Sequence, residues 1–397
     1  MNRAPHSTPP PRVALIVETS GIYGRKILSG ISRYLRCHQR WSVFLEQREL
    51  GSRPPAWLLN EKWDGIVSRP TDPALARVYR KMNTPVVDLN DLHDHLGLPW
   101  VGSDHLLMGR LAATHLQERG LRHFAFCGYS SQRWSEKRRQ GFIDTATVDG
   151  RPIPVFESLL KGSGASNGEK DLTRITQWLA RLPKPVGVMA CNDVRALDVL
   201  NACERAGLRV PEDVAVVGVD NEEIHCDFCH PPLSSVEPDP EAIGYHAAEL
   251  LDALMAGKSP AQTSILVPPL QVVPRPSTDL LAVEDELVKR AVRHIRDHAR
   301  GDCHVEDLAR LFNVSRSTLE RRFRTALDRS PQTEIRLTRI NEVRRLLTET
   351  NATLEHIAEL CGFDHPEYLS VLFKRLTKQT PGEYRRQFQL SRQSKSH

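Results

Sequence analysis

Long apolar runs are missing from this sequence of 397 residues, and no stretch approaches the ~18 consecutive apolar residues that a membrane-spanning helix needs. The opening letters, MNRAPHSTPPPR, are polar and proline-rich, and they lack the apolar segment of a secretory signal peptide. These two absences argue against an integral membrane protein. They predict a cytoplasmic protein that does not bind a membrane.

Cysteine is scarce as well. The 8 cysteines are spread over the whole chain, at positions 37, 127, 191, 203, 226, 229, 303 and 361. Disulfide-stabilised domains instead concentrate their cysteines in a short chain. We therefore expect free thiols, as is usual in a reducing compartment.

Two of these cysteines lie in the segment DNEEIHCDFCH, where Cys226 and Cys229 have C-x-x-C spacing between His225 and His230. A zinc ion needs four ligands in tetrahedral positions, and four ligands so close in sequence can hardly surround one ion. No second C-x-x-C or spaced histidine pair completes a site. We expect a loop that leaves a sheet, with no metal, no redox role and no cofactor.

Motifs of common enzyme classes are also absent. The sequence has no P-loop, no glycine-rich dinucleotide turn and no convincing Ser/His/Asp arrangement. These absences disfavour an enzyme. An enzyme remains the weaker alternative, because a nucleophile triad can be invisible in sequence.

Composition and charge divide the chain into two parts. A chain of this length, 40% hydrophobic and 26% charged, is expected to form at least two domains. The net charge of +5 arises entirely from Glu284 onward, where there are 22 Lys and Arg against 17 Asp and Glu. The preceding residues carry 32 of each sign. A basic domain attached to a neutral one suggests that one end binds nucleic acid.

Apolar, β-rich runs alternate with helical patterns over most of the first part. The runs are residues 12–18, 41–46, 64–67, 85–89, 123–128, 186–191 and 214–220. Such alternation predicts an α/β fold with parallel sheets and helices on both faces, and this many units favours two lobes. Ligands of such sheets bind beyond the carboxyl ends of the strands.

The residues near these strand ends and in the following helices are unusually polar and form the predicted effector site. Carboxylates, amides and guanidinium groups satisfy the paired donor and acceptor demands of sugar hydroxyls, and aromatic rings stack on sugar faces. The candidates are Tyr23, Arg69, Asp104, Trp134, Asn192, Asp193, Asp220 and Asn221. The alternative for any single Asp or Asn is a turn or a helix cap.

Five segments within residues 12–278 carry a family resemblance. They are GLRVPEDVAVVGVDNEE (207–223), CNDVRAL (191–197), SEKRRQGF (135–142), PPLSSV (231–236) and ILVPPLQVVPRPST (265–278). These segments resemble the core of lac-repressor-type regulators, which share the two-lobed periplasmic sugar-binding fold. The resemblance implies effector contacts from Arg138, Asn192 and Asp220, with Asn221 and Asp104 in neighbouring positions. That family's usual N-terminal DNA-binding segment is missing here, so we expect the DNA reader elsewhere.

The basic part contains a helix, a tight turn and a second helix in VEDLARLFNVSRSTLERRFRTAL (305–327). We expect Leu308 and Leu311 to face inward, Asn313 to take a left-handed turn conformation, and Ser315 to cap the second helix. One such pattern is a modest signal, because helix hairpins are common in ordinary bundles.

The pattern recurs 49 residues later in LEHIAELCGFDHPEYLSVLFKRL (354–376). Here Gly362 gives the sharp turn, Asp364 is the expected cap, and Pro366 falls in the first helical turn. Two copies in a basic region indicate a DNA-binding domain. In each motif, residues at the start of the second helix would lie near base edges, and Arg or Lys residues further along it would lie near phosphates. The candidate contacts are Ser315, Arg316, Ser317, Glu320, Arg321, Asp364, His365, Glu367, Tyr368, Lys374 and Arg375.

The segment NATLEHIAELCGFDHPEYLSVLFKRLTKQTPGEYRR (351–386) resembles the C-terminal signature of the AraC family of transcription activators. Fusion of such a reader to a lac-repressor-type sensor resembles a group of regulators of sugar catabolism. The resemblance implies a homodimeric activator that binds a pentose, most of all D-xylose, between its lobes. It also implies two macromolecular partners, a double-stranded DNA operator with repeated half-sites and RNA polymerase.

Arg69 keeps a second ligand class open, because a guanidinium that faces the cleft suits a carboxylate better than a neutral sugar. A uronate or another sugar acid is therefore an alternative effector. A sugar-binding scaffold that binds protein rather than DNA is a further alternative, and the salt dependence of DNA binding would separate the two.

The predicted architecture is a two-lobed periplasmic-binding-protein-like sensor followed by an all-α domain with two helix-turn-helix motifs. The expected boundaries are 12–278 for the sensor, 279–285 for a linker and 286–388 for the DNA-binding domain, with motifs at about 305–326 and 354–376. Residues 1–11 and 389–397 are expected to be disordered tails.

Overall fold

The computed structural model describes residues 9–38, 40–47, 49, 55–94, 96–147, 150, 152–160, 165–279, 285–298, 303–327, 329–350, 352–363, 365–377 and 379–386. The chain forms two compact units, Met1–Leu280 and Leu281–His397. Asp364, most of the expected linker, most of the expected N-terminal tail and all of the expected tail 389–397 lie outside the described residues. The described helices include none that is long and apolar enough to cross a membrane.

Unit 1 is built from alternating strands and helices. Its described strands are β1 (Arg12–Ile16), β2 (Ser42–Leu45), β3 (Gly65–Ser68), β4 (Val86–Asp88), β5 (Trp100–Ser103), β6 (His123–Ser130), β7 (Val155–Leu159), β8 (Val186–Ala190), β9 (Val214–Val219), β10 (Ser234–Glu237), β11 (Ser264–Val267) and β12 (Gln271–Val273). Its described helices are α1 (Ile22–Cys37), α2 (Ala56–Asn60), α3 (Pro73–Lys81), α4 (His105–Gln117), α5 (Arg133–Ala146), α6 (Ala165–Arg181), α7 (Asp193–Arg205), α8 (Glu223–Phe228) and α9 (Pro240–Met255), with a 3-10 turn at Pro276–Thr278.

The strands form two six-stranded sheets, one in each lobe. The first lobe has the order β11-β5-β4-β3-β1-β2, and the second has the order β12-β10-β9-β8-β6-β7. The described pairings are parallel except that of β12 with β10. Parallel order places the carboxyl ends of the strands at one edge of each sheet, which confirms the predicted fold class.

The buried strands explain why the sequence reads as continuous apolar runs. In β8 and β9 every residue is buried, and Val188 lies opposite Val216 in the register of the pair. A parallel strand covered by helices on both faces has no solvent side, so its residues do not alternate between apolar and polar. The seven predicted strands are confirmed, whereas β5, β7, β10, β11 and β12 were not predicted.

The chain passes between the lobes three times. Asp104 joins β5 of the first lobe to α4 of the second, and residues 238–239 lead back to α9, which packs on α1. Residues 268–270 then join β11 to β12. The backbone N–H of Asp104 donates to the carbonyl of Val267 at 2.9 Å, so the first crossover is hydrogen-bonded to the end of β11, just before the third crossover begins.

Close packing of α4 on α5 positions part of the site. A β-carbon on Gly109 would overlap the carbonyl oxygen of Arg138, and one on Gly141 would overlap that of Leu106. Both positions therefore need glycine, because any β-carbon would push the helices apart. This contact brings the start of α4 within side-chain reach of α5.

Unit 2 is helical in its described residues. Its helices include α10 (Glu286–Asp297), α11 (Val305–Leu311), α12 (Arg316–Leu327), α13 (Pro331–Glu349), α14 (Leu354–Leu360) and α15 (Pro366–Thr377), and residues 381–386 are helical as well. One core cluster joins α10, α11 and α12 around Leu308 and Phe323, and a second joins α13, α14 and α15 around Ile357 and Phe373. Each predicted helix-turn-helix thus has its own core.

The two turns have the predicted backbone conformation. Asn313 has φ +53° and Gly362 has φ +65°, and the hydroxyl of Ser315 accepts from the backbone N–H of Thr318 at 3.1 Å. Helix α15 begins at Pro366, as expected. Leu311 is different: it is 55% exposed, so the prediction that it faces inward is wrong.

Candidate functional site

Arg69 follows β3, and two carboxylates of the first lobe hold its guanidinium. One terminal nitrogen donates to Glu18, which lies just beyond β1, and the other donates to Asp91 with 3.1 Å between Nη2 and Oδ2. The guanidinium carbon lies 4.8 Å from the ring centre of Tyr23. The Tyr23 and Ser103 hydroxyl oxygens are 2.8 Å apart and share a hydrogen bond. The first lobe thus presents a neutralised arginine beside an aromatic ring.

Arg138 lies on α5 in the second lobe and is 4% exposed. Its Nε donates to His105 Nδ1 at 3.3 Å, Nη1 donates to the Cys191 carbonyl at 2.6 Å, and Nη2 donates to Asp220 Oδ1 at 3.3 Å. The Trp134 ring centre lies 5.0 Å from the guanidinium carbon. Because the five N–H groups of arginine lie in one plane, three acceptors fix its orientation.

Two aspartates in the loop after β4 reach from the first lobe to the second. Asp91 Oδ1 lies 3.4 Å from His105 Nε2 at the start of α4. Asp94 is paired with two cations of α5, at 2.6 Å from Arg133 and 2.6 Å from Lys137 Nζ. The lobes are therefore joined by one buried contact and by an exposed ion-pair cluster at the rim.

Asn90 shapes this loop from within. It is 3% exposed, and its side-chain oxygen accepts from the backbone N–H groups of Leu92 and His93, at 3.1 and 2.7 Å. Its amide nitrogen donates to Asp88, the last residue of β4. Burial raises the pKa of Asp88 to about 6. Local hydrogen bonds thus hold the loop in the conformation that places Asp91 and Asp94.

Asp220 and Asn221 follow β9 with unusual backbone conformations. Their φ angles are +111° and +45°, which L-residues rarely adopt and which often mark functional sites. The backbone N–H of Asn221 donates to the Ser235 hydroxyl at 3.0 Å. The Asn221 side-chain oxygen is buried and accepts no hydrogen bond from the described residues. A ligand hydroxyl is a suitable donor for such an acceptor.

Asp193 holds the segment that follows β9 through hydrogen bonds. It is 1% exposed, and its carboxylate accepts from the Ser235 hydroxyl at 2.6 Å, the Glu222 backbone N–H at 3.0 Å and the Cys226 thiol at 3.5 Å. Burial, followed by the nearby charge of Asp220, raises the pKa of Asp193. Burial also raises the pKa of Asp220, although Arg138 opposes that shift.

The first-lobe groups differ in their ionisation. Burial would raise the pKa of Asp91, but its hydrogen bond with His105 and the charge of Arg69 together hold that pKa far below its usual range. Burial, followed by the charge of Asp91, raises the pKa of the Tyr23 hydroxyl well above its ordinary value. At neutral pH the site therefore holds an ionised Asp91 and a neutral Tyr23.

Asp104 and Asn192 cap helices. Asp104 Oδ1 accepts from the backbone N–H of Leu107 at 2.9 Å at the start of α4, and Asn192 Oδ1 accepts from that of Arg195 at 2.9 Å at the start of α7. Capping was the alternative interpretation for these positions, and it occurs at both. Each side chain keeps its second polar atom for another partner.

The segment with the C-x-x-C spacing contains the short helix α8 rather than the expected loop. Cys226 and Cys229 are buried free thiols, and burial raises the pKa of both, to about 11 for Cys229. Among the described residues no group of three or more His, Cys, Asp or Glu side chains could hold a metal ion. Cys226 belongs to the support of the site through its contact with Asp193.

The predicted DNA contacts lie on the exposed side of their helices, apart from Glu320, which is half-buried, and Asp364, which is outside the described residues. The exposed ones are Ser315, Arg316, Ser317, Arg321, His365, Glu367, Tyr368, Lys374 and Arg375. Arg316 donates to Glu306 and, at 3.0 Å, to Glu320. These acidic partners hold Arg316 in place at the start of α12.

Sequence reasoning missed several residues of both regions. Asp91 and Asp94 lie in the loop after β4, and His105 is the first residue of α4. None of the three directly follows a predicted strand, so the rule that ligands bind at strand ends did not point to them. Arg324 and Val371 extend the exposed faces of α12 and α15, and Val371 is 68% exposed. Their helical spacing from Arg321 and Tyr368 is the signal that would have found them.

Three family profiles match the chain. One described as a XylR N-terminal domain matches residues 12–97, and one described as a periplasmic binding protein-like domain matches residues 113–278. A helix-turn-helix domain profile matches residues 308–387. The matches follow the order of the two units.

Similarity to known proteins over nearly the full length identifies the family of this chain. The xylose operon regulatory protein of Haemophilus influenzae is 32% identical over 384 residues, which are 94% of this chain and 98% of the relative. The chain belongs to the xylose operon regulatory protein family. Another family member, from Escherichia coli strain K12, is 29% identical over 94% of this chain and 96% of its own length. These proteins are transcription regulators, which confirms the expectation of a regulator rather than an enzyme.

Solved structures agree with this family assignment. A structure described as the xylose-binding transcription activator XylR is 27% identical, has a TM-score of 0.76 and covers 95% of this chain and 98% of its own. A cellobiose complex of the regulator CelR, 24% identical with a TM-score of 0.54, covers 67% of this chain and 84% of its own, and it shares the fold alone. The protein is thus a DNA-binding transcription regulator of this family with a periplasmic-binding-protein-like sensor.

Proposed function

We propose that this protein is a D-xylose-responsive activator of pentose-catabolic genes that acts in the cytoplasm. The family members named above are regulators of a xylose operon, and the similar solved structure is described as xylose-binding. The sugar would bind between the lobes, where Arg69, Asp91, Arg138, Asp220 and Asn221 supply polar groups. The choice of a neutral sugar rests on the charge of this cleft.

The preference for a neutral sugar over a sugar acid rests on the ion pairs of Arg69. Its guanidinium is paired with Glu18 and Asp91, so it has no unmatched positive charge to offer a carboxylate ligand. In the second lobe, Arg138 is likewise paired with Asp220. A uronate would bring a further negative charge to a site whose cations are already neutralised, at a desolvation cost with no matching ion pair. A neutral polyol avoids this cost.

Sugar hydroxyls fit the remaining groups. Asp220 and the side-chain oxygen of Asn221 accept hydrogen bonds, and Arg138 donates, so one face of the cleft can satisfy both roles of a hydroxyl. Tyr23 and Trp134 offer a ring from each lobe for the apolar faces of the sugar. The free amide nitrogen of Asn192 and the second carboxylate oxygen of Asp104 would add contacts, whereas Asp193 would hold Asp220 in place.

A ligand screen tests this proposal. We expect saturating D-xylose to raise the melting temperature of unit 1 by about 5 °C, because a ligand at 100 times its Kd adds about 2.7 kcal/mol to the stability of the folded state. D-Ribose, L-arabinose and D-glucuronate are expected to give smaller shifts. Tryptophan fluorescence isolates unit 1, since all six tryptophans lie in residues 41–178. A larger shift with D-glucuronate would instead identify a sugar acid as the effector.

We further propose that the protein binds its operator as a homodimer and contacts RNA polymerase, with a sensor of about residues 12–278 and a reader of about 286–388. Exposed arginines and lysines on α12 and α15 support phosphate contacts, and exposed residues at the helix starts support base contacts. A sugar held by both lobes stabilises the lobe arrangement that makes both sets of contacts, and thereby shifts the equilibrium between operator-binding states. Light scattering should give twice the mass of 44.9 kDa.

Replacing Arg321 by alanine tests the DNA contact. Arg321 is exposed on α12, and we expect its loss to weaken operator binding about equally on all sequences and to lower the slope of log K against log salt by about 1. Gel shifts at several salt concentrations measure both quantities. The matched control is Lys289→Ala on α10, outside both motifs, which should leave the slope unchanged. Equal slopes for the two variants would remove Arg321 from the DNA contact.

A further inference from the structure

His105 is a side chain through which the two lobes meet inside the cleft. It is the first residue of α4 and 6% exposed. One ring nitrogen, Nε2, lies 3.4 Å from Asp91 of the first lobe, and the other, Nδ1, lies 3.3 Å from Arg138 Nε of the second lobe. The glycine contact of α4 with α5 keeps this second distance short.

The chemistry of these neighbours fixes the state of the ring. Arginine only donates hydrogen bonds, so Nδ1 must be the unprotonated acceptor. The proton of a neutral imidazole then lies on Nε2, where the carboxylate of Asp91 can accept it. Both contacts are satisfied by one tautomer of neutral histidine and by no other state of the ring.

We propose that His105 is a positioning residue that orients Arg138 for the sugar and makes this orientation depend on contact between the lobes. The proposal rests on the sugar site proposed above and deepens it. Arg138 receives two of its three fixed acceptors, Cys191 and Asp220, from its own lobe. The third acceptor is an imidazole whose tautomer is set by Asp91 of the opposite lobe.

Protonation of His105 reverses this arrangement. A proton on Nδ1 points an N–H at the N–H of Arg138, so the contact becomes repulsive and the guanidinium loses an acceptor. The charged groups that face the ring are Asp91 from the first lobe, Arg138 from α5 and Asp220 from the end of β9. Burial lowers the pKa of His105 below its ordinary value of 6.5, against the opposing effect of Asp91. Sugar affinity therefore falls as the pH decreases through this lowered pKa.

Two amide substitutions separate the two halves of the contact. In the His105→Asn variant, the side-chain oxygen lies near the position of Nδ1. This variant therefore keeps the acceptor for Arg138 and loses the contact with Asp91. In the His105→Gln variant, the longer side chain places its amide near the position of Nε2. This variant therefore keeps the contact with Asp91 and leaves Arg138 without its acceptor. Neither amide titrates between pH 5 and 8.

Calorimetric titration of the full chain with D-xylose between pH 5 and 8 tests the proposal. At pH 7.5 we expect affinity within about threefold of the wild type for His105→Asn and about tenfold lower for His105→Gln. Both variants should lose the His105 part of the pH dependence, whereas Asp193 and Asp220, whose pKa values burial raises, are present in all three proteins. Affinities and pH profiles equal to the wild type in both variants would overturn the proposal.

A second measurement does not depend on the ligand. Nitrogen-15 NMR of the histidine-labelled full chain at pH 7.5 should show His105, assigned from its absence in His105→Asn, with Nε2 protonated and Nδ1 unprotonated. A proton on Nδ1 would overturn the positioning role even if D-xylose binds. If D-xylose fails to bind while the expected tautomer is present, the sugar assignment fails and the link between His105 and Arg138 stands. Thermal unfolding of both variants controls for loss of the fold.

Discussion

Asp220→Asn should weaken D-xylose binding by about 10- to 100-fold, because a hydrogen bond to an ionised group contributes about 1.5–3 kcal/mol. Asparagine keeps the shape of the side chain and tolerates the positive φ of +111°, so the backbone should not change. The substitution removes the charge that pairs with Arg138 and turns one acceptor into a donor. Isothermal calorimetry at pH 7.5 measures the loss.

Glu223→Gln is the matched control for this experiment. Glu223 lies three residues further along in α8 and is exposed, so its charge should contribute little to the cleft. The affinity of the Glu223→Gln variant for D-xylose should stay within about twofold of the wild type. Operator binding without sugar should be unchanged in both variants. Wild-type affinity in Asp220→Asn would contradict the placement of the sugar beside β9.

Arg195→Ala should destabilise unit 1 by about 3 kcal/mol, the lower end of the cost of breaking a buried ion pair, because Arg195 is buried while its partners Asp171 and Asp198 are partly exposed. Arg195 is 1% exposed, and its guanidinium donates to Asp171 at 2.7 Å, Asp198 at 3.2 Å and Ser158 at 2.7 Å. The Tyr129 ring centre lies 4.7 Å from its guanidinium carbon. Urea unfolding followed by tryptophan fluorescence reports on this unit alone.

Arg209→Ala provides the exposed comparison. The Arg209 side chain is 55% exposed and pairs with Asp213 at 2.8 Å on the surface of the same lobe. Exposed pairs contribute about 0–1 kcal/mol, so we expect a difference of several kcal/mol between the two alanine variants. Similar losses in both would show that burial does not determine the energetic role of Arg195.

Most of the strands that the sequence predicted are nearly or fully buried, with the exception of the edge strand β2, whose residues are half-buried or exposed. Residues of β1, β8 and β9 form uninterrupted apolar runs because helices cover both faces of each sheet. The missed strands have weaker patterns. For example, β7 and β11 are edge strands with exposed residues, and β10 contains the buried serines Ser234 and Ser235, whose hydroxyls bond within the protein.

The site was predicted in part for a related reason. Arg138, Asp220 and Asn221 could be named because they stand in segments that resemble a known family, and Arg69 because it follows a predicted strand. Asp91 could not be found in this way, since its position depends on hydrogen bonds of Asn90 within the loop. His105 depends on the packing of α4 on α5, which sequence separation conceals.

Turn chemistry in unit 2 was predicted more fully, because local rules determine it. Asn313 and Gly362 occupy left-handed conformations that few other residues tolerate. Leu311 was misjudged because the helical period places it next to the buried Leu308, while the turn at Asn313 ends the helix before that face is covered.

The late position of β11 in the chain bears on biosynthesis and on protein engineering. This strand, Ser264–Val267, pairs with β5, and α9 packs on α1, so the first lobe is assembled from segments more than 150 residues apart. During translation the β5 edge stays unpaired until residue 267 has left the ribosome, after β6 to β10 of the second lobe have been synthesised. A sensor graft between regulators should therefore transfer residues 12–278 as one block, because a cut between the lobes leaves the first sheet incomplete.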